Sequence, residues 1–290
     1  MIKTKTQTFL LKLGLIFLYL NYTNGCVSNK KLYTEIGCKP IYGNDSNSCP
    51  VAYDCDKVFS RPINKCYLNG NVYEPVDRLS KTDSALNPCF AACFCDQKTY
   101  DNKTTTKFKC AKVECPSKFN RLRDPCYYQY NRDSCCEVKK HCPEEKAIDH
   151  ECVHDNKVYK NGQRFYVGDY LRCVCSPEYN GTISDKSCRE VGCSYEILYM
   201  ENILSRSAPV YLKKVDGCPI QWFNPKYDAA TIADEITSTS KSNEHNCKYG
   251  DLSISVGQNM TIGQQSDSDT YKTTCSCNIP PLVTCIKVRK

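Results

Sequence analysis

Apolar positions in this chain come in short runs broken by turn residues, and no segment carries the long amphipathic stripe of a packed helix. Leu252, Ile254 and Val256 alternate with Ser253 and Ser255, the period of two of a half-buried strand. Lys157-Val-Tyr159 and Arg164-Phe-Tyr-Val167 flank Asn161-Gly162. That spacing predicts a hairpin, because Asn-Gly adopts the positive φ values of a two-residue turn. Ala229 to Ile236 has the makings of a helical turn or two but nothing that caps it. The longest apolar run, Leu13 to Leu20, follows Phe9 to Leu11 across Lys12, with Lys3 and Lys5 before it and Thr23 and Gly25 just ahead of Cys26. This is the layout of a secretory leader over residues 1–25, and the run is much shorter than the about 20 residues of a bilayer span. The pattern predicts small β-containing modules in an elongated chain with little helix.

Cysteine sharpens that picture. There are 24 in 290 residues. They fall into four sets: Cys26 to Cys55 with four, Cys66 to Cys142 with ten, Cys152 to Cys218 with six, and Cys247 to Cys285 with four. Each set is even and can close on its own, which is the usage of secreted, disulfide-stapled modules. The hydrophobic fraction of 41% includes these 24 Cys and 21 Tyr. Ordering a residue costs about 1–2 kcal/mol of backbone entropy, more than small aliphatic clusters offset. A disulfide contributes typically about 2–4 kcal/mol. The expectation is therefore that bridges closed within each set replace a shared apolar core. The cysteine-free stretch 225–246, with its polar run Thr237 to Ser242, reads as a linker.

Two patterns recur. In one, a cysteine is followed ten positions on by Gly-Gln, at Cys152 with Gly162-Gln163 and at Cys247 with Gly257-Gln258. Each copy ends in Cys-X-Cys (Cys173-Val-Cys175, Cys275-Ser-Cys277, and Cys93-Phe-Cys95 in the second set) and then one more cysteine, Cys188, Cys285 or Cys110. Cysteines at i and i+2 share one face of a strand and can reach two partners on that side. In the other pattern, Cys38-Lys-Pro40-Ile-Tyr42 parallels Ser207-Ala-Pro209-Val-Tyr211, and Cys49-Pro-Val-Ala-Tyr53 parallels Cys218-Pro-Ile-Gln-Trp222. The second set holds both patterns. The first holds only the latter and the last only the former. Positions equivalent to Cys89 and Cys135 are lost together, as are those equivalent to Cys126 and Cys142. Partners should disappear together where a lone thiol would mispair, which predicts Cys89–Cys135 and Cys126–Cys142.

The order Cys66, Cys89-X3-Cys93-X-Cys95, Cys110-X4-Cys115, Cys126, Cys135-Cys136, Cys142 resembles the von Willebrand factor type C module, with Cys89 one residue early and the ending stretched. On that resemblance the chain divides into a second-half-only copy at 26–60, a complete copy at 66–142, a copy with fewer cysteines at 152–224 and a first-half-only copy at 247–287. The resemblance implies the same two bridges and adds Cys66–Cys95, Cys93–Cys110 and Cys115–Cys136. Carried over, it implies Cys26–Cys49, Cys38–Cys55, Cys152–Cys175, Cys173–Cys188, Cys193–Cys218, Cys247–Cys277 and Cys275–Cys285. It further implies a secreted, non-enzymatic protein that binds growth factors of the bone morphogenetic protein and transforming growth factor class, with the complete copy as first platform. The segment Lys157 to Val167, with Phe165 and Tyr166, is the next candidate.

Charge and chemistry add limits. Losing Lys3, Lys5 and Lys12 with the leader takes the net charge from +7 to +4, too mild for a nucleic-acid partner. Basic clusters at Lys139-Lys140-His141 and at Lys287-Val-Arg289-Lys290 are candidates for heparin-like glycans, although solvated surface is the simpler reading. Asn44, Asn102, Asn180 and Asn259 open N-glycosylation triplets, as does Asn21 within the leader. His150-Glu151-Cys152-Val153-His154 matches the zinc-protease string, but Cys152 opens a set and the context is strand, so no metal or other cofactor is expected. Alternatives to ligand binding are a matrix spacer and a defence protein or protease inhibitor, the latter resting on Lys118 to Arg123 between Cys115 and Cys126.

Overall fold

A computed structural model describes residues 30–43, 49–100, 103–120, 122–142, 150–168, 171–212, 217–232, 245–263 and 270–290. The leader, Cys26, Asn44, Asn102 and linker residues 233–244 lie outside the described residues. The first set contributes α1 (Lys30–Glu35), β1 (Lys39–Tyr42), β2 (Pro50–Asp54) and α2 (Asp56–Phe59). The second contributes β3 (Cys66–Leu68), β4 (Asn71–Tyr73), α3 (Lys81–Leu86), β5 (Phe90–Tyr100), β6 (Lys103–Lys112), a 3₁₀ turn (Pro116–Lys118), β7 (Tyr127–Gln129) and β8 (Lys139–His141). The third runs through β9 (Glu151–His154), β10 (Lys157–Lys160), β11 (Arg164–Val167), β12 (Leu171–Val174), β13 (Cys188–Glu190), α4 (Tyr195–Leu198), α5 (Met200–Leu204), β14 (Ala208–Leu212) and β15 (Gln221–Phe223). After β16 (Ala230–Ile232) come β17 (Cys247–Tyr249), β18 (Leu252–Ile254), β19 (Asn259–Ile262), β20 (Tyr271–Ser276) and β21 (Thr284–Arg289) of the last set. The fold is thus β-rich, disulfide-dense and poor in helix.

Each first half opens with a small hairpin, β3–β4, β9–β10 or β17–β18. The turns Asn69-Gly70 (φ 51° and 80°) and Asp155-Asn156 (φ 47° and 59°) are positive at both residues, which matches the right-handed twist of the strands they join. Here the structure departs from the hairpin expected around Asn161-Gly162. Strand β10 pairs with β9 and β11 pairs with β12. Gly162, at φ +80°, instead turns a corner between two sheets.

That corner repeats. Gly162 N–H donates to the Cys175 carbonyl at 2.7 Å and Cys175 N–H donates back to Gln163 at 2.9 Å. Gly257 with Cys277 and Gln258 makes the same exchange at 2.8 and 3.0 Å, and Val76 with Cys95 and Asp77 at 2.8 and 2.9 Å. Val76 therefore occupies the glycine position of the second set, with φ at +74°. A β-branched residue is disfavoured there.

The second halves are hairpins in one register. Pro40 faces Tyr53, Tyr128 faces Lys140 and Pro209 faces Trp222. In the third set the positions of the bridge that closes this hairpin hold Ser207, which is fully buried, and Asn224.

Packing overturns the expectation that each set stands on its own sulfur. The six-stranded sheet β15-β14-β21-β20-β19-β16 joins the third set to the last, with β14 parallel to β21 through Val210 and Cys285. Its core holds Val210, Phe223, Ile254, Met260 and Val283. A second core collects Leu32, Tyr33, Ile36 and Val58 of the first set, Tyr195 and Ile203 of the third, and Leu282 of the last. The Tyr33 hydroxyl donates to the Ile279 carbonyl and accepts from Leu282 N–H, each at 3.0 Å. The third set itself divides. Its first half leans on the second set, where Tyr130 N–H donates to Gly162 O at 2.8 Å and Gln129 Nε2 to Asn161 O at 3.1 Å. The 225–246 linker also needs correction, since residues 230–232 form strand, not helix or linker, against β19.

Candidate interaction surfaces

Cross-strand geometry explains the bridges. Cys93 and Cys110, Cys173 and Cys188, and Cys275 and Cys285 are directly opposite partners, with Cα atoms 4.1, 4.0 and 4.0 Å apart. The other cysteine of each Cys-X-Cys reaches the opening hairpin on the same face, as Cys66–Cys95, Cys152–Cys175 and Cys247–Cys277. Cys115–Cys136 and Cys193–Cys218 anchor the second halves, and Cys38–Cys55 and Cys126–Cys142 close their hairpins. Cys89–Cys135 ties the two halves of the second set. These are the partners expected from paired loss and from the type C resemblance, and none of the bridges among the described residues joins two sets. Cys49 is also bridged, while its expected partner Cys26 lies outside the described residues. Among the described residues no cysteine is free.

The His150 to His154 string gives no zinc site of the protease kind. Strand β9 begins at Glu151, just after His150, so the two histidines sit on extended rather than helical backbone, four residues or about 13 Å apart along the chain. His154 Nδ1 lies 3.1 Å from the Tyr179 hydroxyl, and its ring lies 5.1 Å from that of Phe165. Among the described residues two clusters have ligand-like spacing, Cys115/Cys135/Cys136 and His150/Cys152/Cys175. Every sulfur in them is bridged and so offers no thiolate.

The joint between the second and third sets is built from arginines that sequence reading did not single out. Arg132 grips Asp133 through Nε and Nη2, and Arg189 Nη1 lies 3.6 Å from the same carboxylate. These cations, Arg132 foremost, hold the Asp133 carboxyl below its ordinary range. Arg164 lies 3.9 Å over the Tyr130 ring and donates to the Ser134 and Cys135 carbonyls. An open cavity of about 540 Å³ beside this joint is lined by Arg132, Asp133, Asp185, Arg189 and Glu190, charges of both signs. On the far side of the second set, Glu196 of α4 accepts from Arg61 Nη1 and from Asn69 N–H, both at 2.6 Å, and is almost wholly buried.

No family model, curated protein or solved structure matches this chain. Its candidate sites therefore rest on its own surfaces. Of the two aromatics named in the segment Lys157 to Val167, Phe165 is buried among Tyr159, Tyr179 and His154 while Tyr166 is exposed, at 60%, as is Val158 at 59%. Lys118, Phe119, Leu122 and Arg123 of the loop between Cys115 and Cys126 are all exposed, Phe119 at 71%. Of the basic cluster at 139–141, His141 is buried against Tyr127. Asn180 and Asn259 are both exposed. In the second set Val72 and Val76 stand out of the surface at 54 and 80%, as does Ile63 just before it at 52%. No helix among the described residues is long and apolar enough to cross a membrane.

Proposed function

We propose that this is a secreted, glycosylated, non-enzymatic binding protein assembled from type C-like modules, and that its second set is the platform for a secreted protein ligand. Disulfides at this density belong to oxidising compartments. The observation that carries the reading is the second set itself. Both halves are present, Cys89–Cys135 locks them together, and Val72 and Val76 remain uncovered on it. Rigid presentation of exposed apolar groups lowers the ordering penalty of binding. The type C resemblance gives the ligand class as growth factors of the bone morphogenetic protein and transforming growth factor type, whose signalling such binding would tune. Capture of dimeric growth factors of this class on the immobilised, oxidised protein tests the reading. Binding that falls at least ten-fold in Val72→Glu supports it, and no capture of any member refutes it.

A protease-inhibitor reading draws on one observation, the exposed loop around Phe119 held between two bridged cysteines. Inhibition of trypsin or chymotrypsin, abolished by Lys118→Ala or Phe119→Ala respectively, would favour it. A matrix spacer would be retained in the insoluble fraction and show neither activity.

A further inference from the structure

Strands β5 and β6 form a ribbon with two chemically distinct faces. Cys93, Cys95, Phe108 and Cys110 point one way, into the module and its bridges. The alternate positions Phe94, Asp96, Lys98, Thr105, Lys107 and Lys109 point the other way. Phe94 lies opposite Lys109 on one side and Arg78 on the other, so Arg78, Phe94 and Lys109 make one row across the ribbon. Asp96 with Lys107 makes the next, and Lys98 with Thr105 the one after. From the Arg78 row to the Lys98 row is four residues, about 13 Å.

Arg78, Lys98, Lys107 and Lys109 are all exposed, and none makes an ion pair among the described residues. One carboxylate, Asp96, faces four cations. Unpaired like charges this close repel one another, and a polyanion laid along the ribbon relieves that repulsion and releases its own counterions. Apolar content on this face is limited to half-buried Phe94 with Val76 at its edge, far short of the roughly 800 Å² per partner that a stable protein interface covers. We infer that this face binds a sulfated glycosaminoglycan chain, running along β5–β6 with its sulfates on Arg78, Lys98, Lys107 and Lys109. The glycan site is thus displaced from the basic clusters at 139–141 and 287–290. It does not depend on the growth-factor reading.

The test is elution of the full oxidised protein from immobilised heparin in a salt gradient, with affinity measured at two salt concentrations. Triple replacement Lys98→Gln, Lys107→Gln, Lys109→Gln should lower the eluting salt, weaken binding on the order of ten-fold or more, and flatten the salt dependence. These are exposed strand positions, and an unchanged far-ultraviolet spectrum and melting temperature will show that the ribbon persists. Lys139→Gln with Lys140→Gln should leave elution unchanged. Soluble heparin should displace the protein where polyglutamate of equal charge does not. The inference is overturned if the triple variant elutes with the parent, if the 139–140 variant carries the loss instead, or if polyglutamate competes equally.

Discussion

The second and third sets begin from the same two half-module patterns and end in different structures. In the second, Cys89–Cys135 joins the halves, and its second half has little apolar core of its own. In the third, both positions of that bridge are missing and the halves part company. One docks on the second set through backbone bonds and arginines, and the other enters the six-stranded sheet with the last set. The separated half carries the heavier apolar load: Tyr195, Ile203, Val210, Tyr211 and Phe223 are all buried. Where sulfur is withdrawn, apolar burial takes over. The incomplete copies at the two ends of the chain complete a core together.

That contrast can be broken where the third set's detached half meets its neighbours. Glu196→Gln leaves the Arg61 guanidinium buried without its carboxylate and should destabilise by about 3–5 kcal/mol, read as a drop in thermal midpoint. Leu32→Ala opens the core shared by the first, third and last sets and should cost about 2–5 kcal/mol in the same assay. Isolated beads would lose far less from either change. Removing Cys89 and Cys135 together as serines makes the second set resemble the third. It should cost about 2–4 kcal/mol and raise proteolytic cleavage between 113 and 126, while the last set's cleavage pattern stays as it was. Val76→Gly should be the mildest change and the only one that stabilises, by up to about 1 kcal/mol, because it restores the residue type that the other two copies carry at a positive φ.

Much of the covalent framework was legible in the sequence, and for a physical reason. Oxidised partners must be gained and lost in pairs, so paired loss carries Cys89–Cys135 and Cys126–Cys142 without any knowledge of packing, while the other pairings were read from the type C resemblance. The corner at Gly162 was half legible. Its positive φ could be read from Asn-Gly, but Asp155-Asn156 takes the hairpin turn and sends β10 to β9 instead. The equivalent corner at Val76 was invisible, because valine gives no sign of a left-handed backbone. Ala230 to Ile232 looked like a weak helix, yet Thr231 and Ile232 are β-branched and the edge of β19 supplies the ladder. The cation face of β5–β6 was missed because its lysines are scattered in sequence and meet only through strand register and the bridge to Arg78. The shared cores were missed because short apolar runs state that something will be buried and not against which set.

The joining of the chain's two end sets is most directly tested at Tyr33, whose hydroxyl serves both Ile279 and Leu282. Native-state hydrogen exchange on the parent and on Tyr33→Phe would read it. The predicted result is a Leu282 amide that is strongly protected in the parent and exchanges at least ten-fold faster in the variant, with protection across Lys30–Glu35 falling alongside it. A Leu282 amide that exchanges freely in the parent, or at the same rate in both proteins, would contradict a core held in common by the first and last sets.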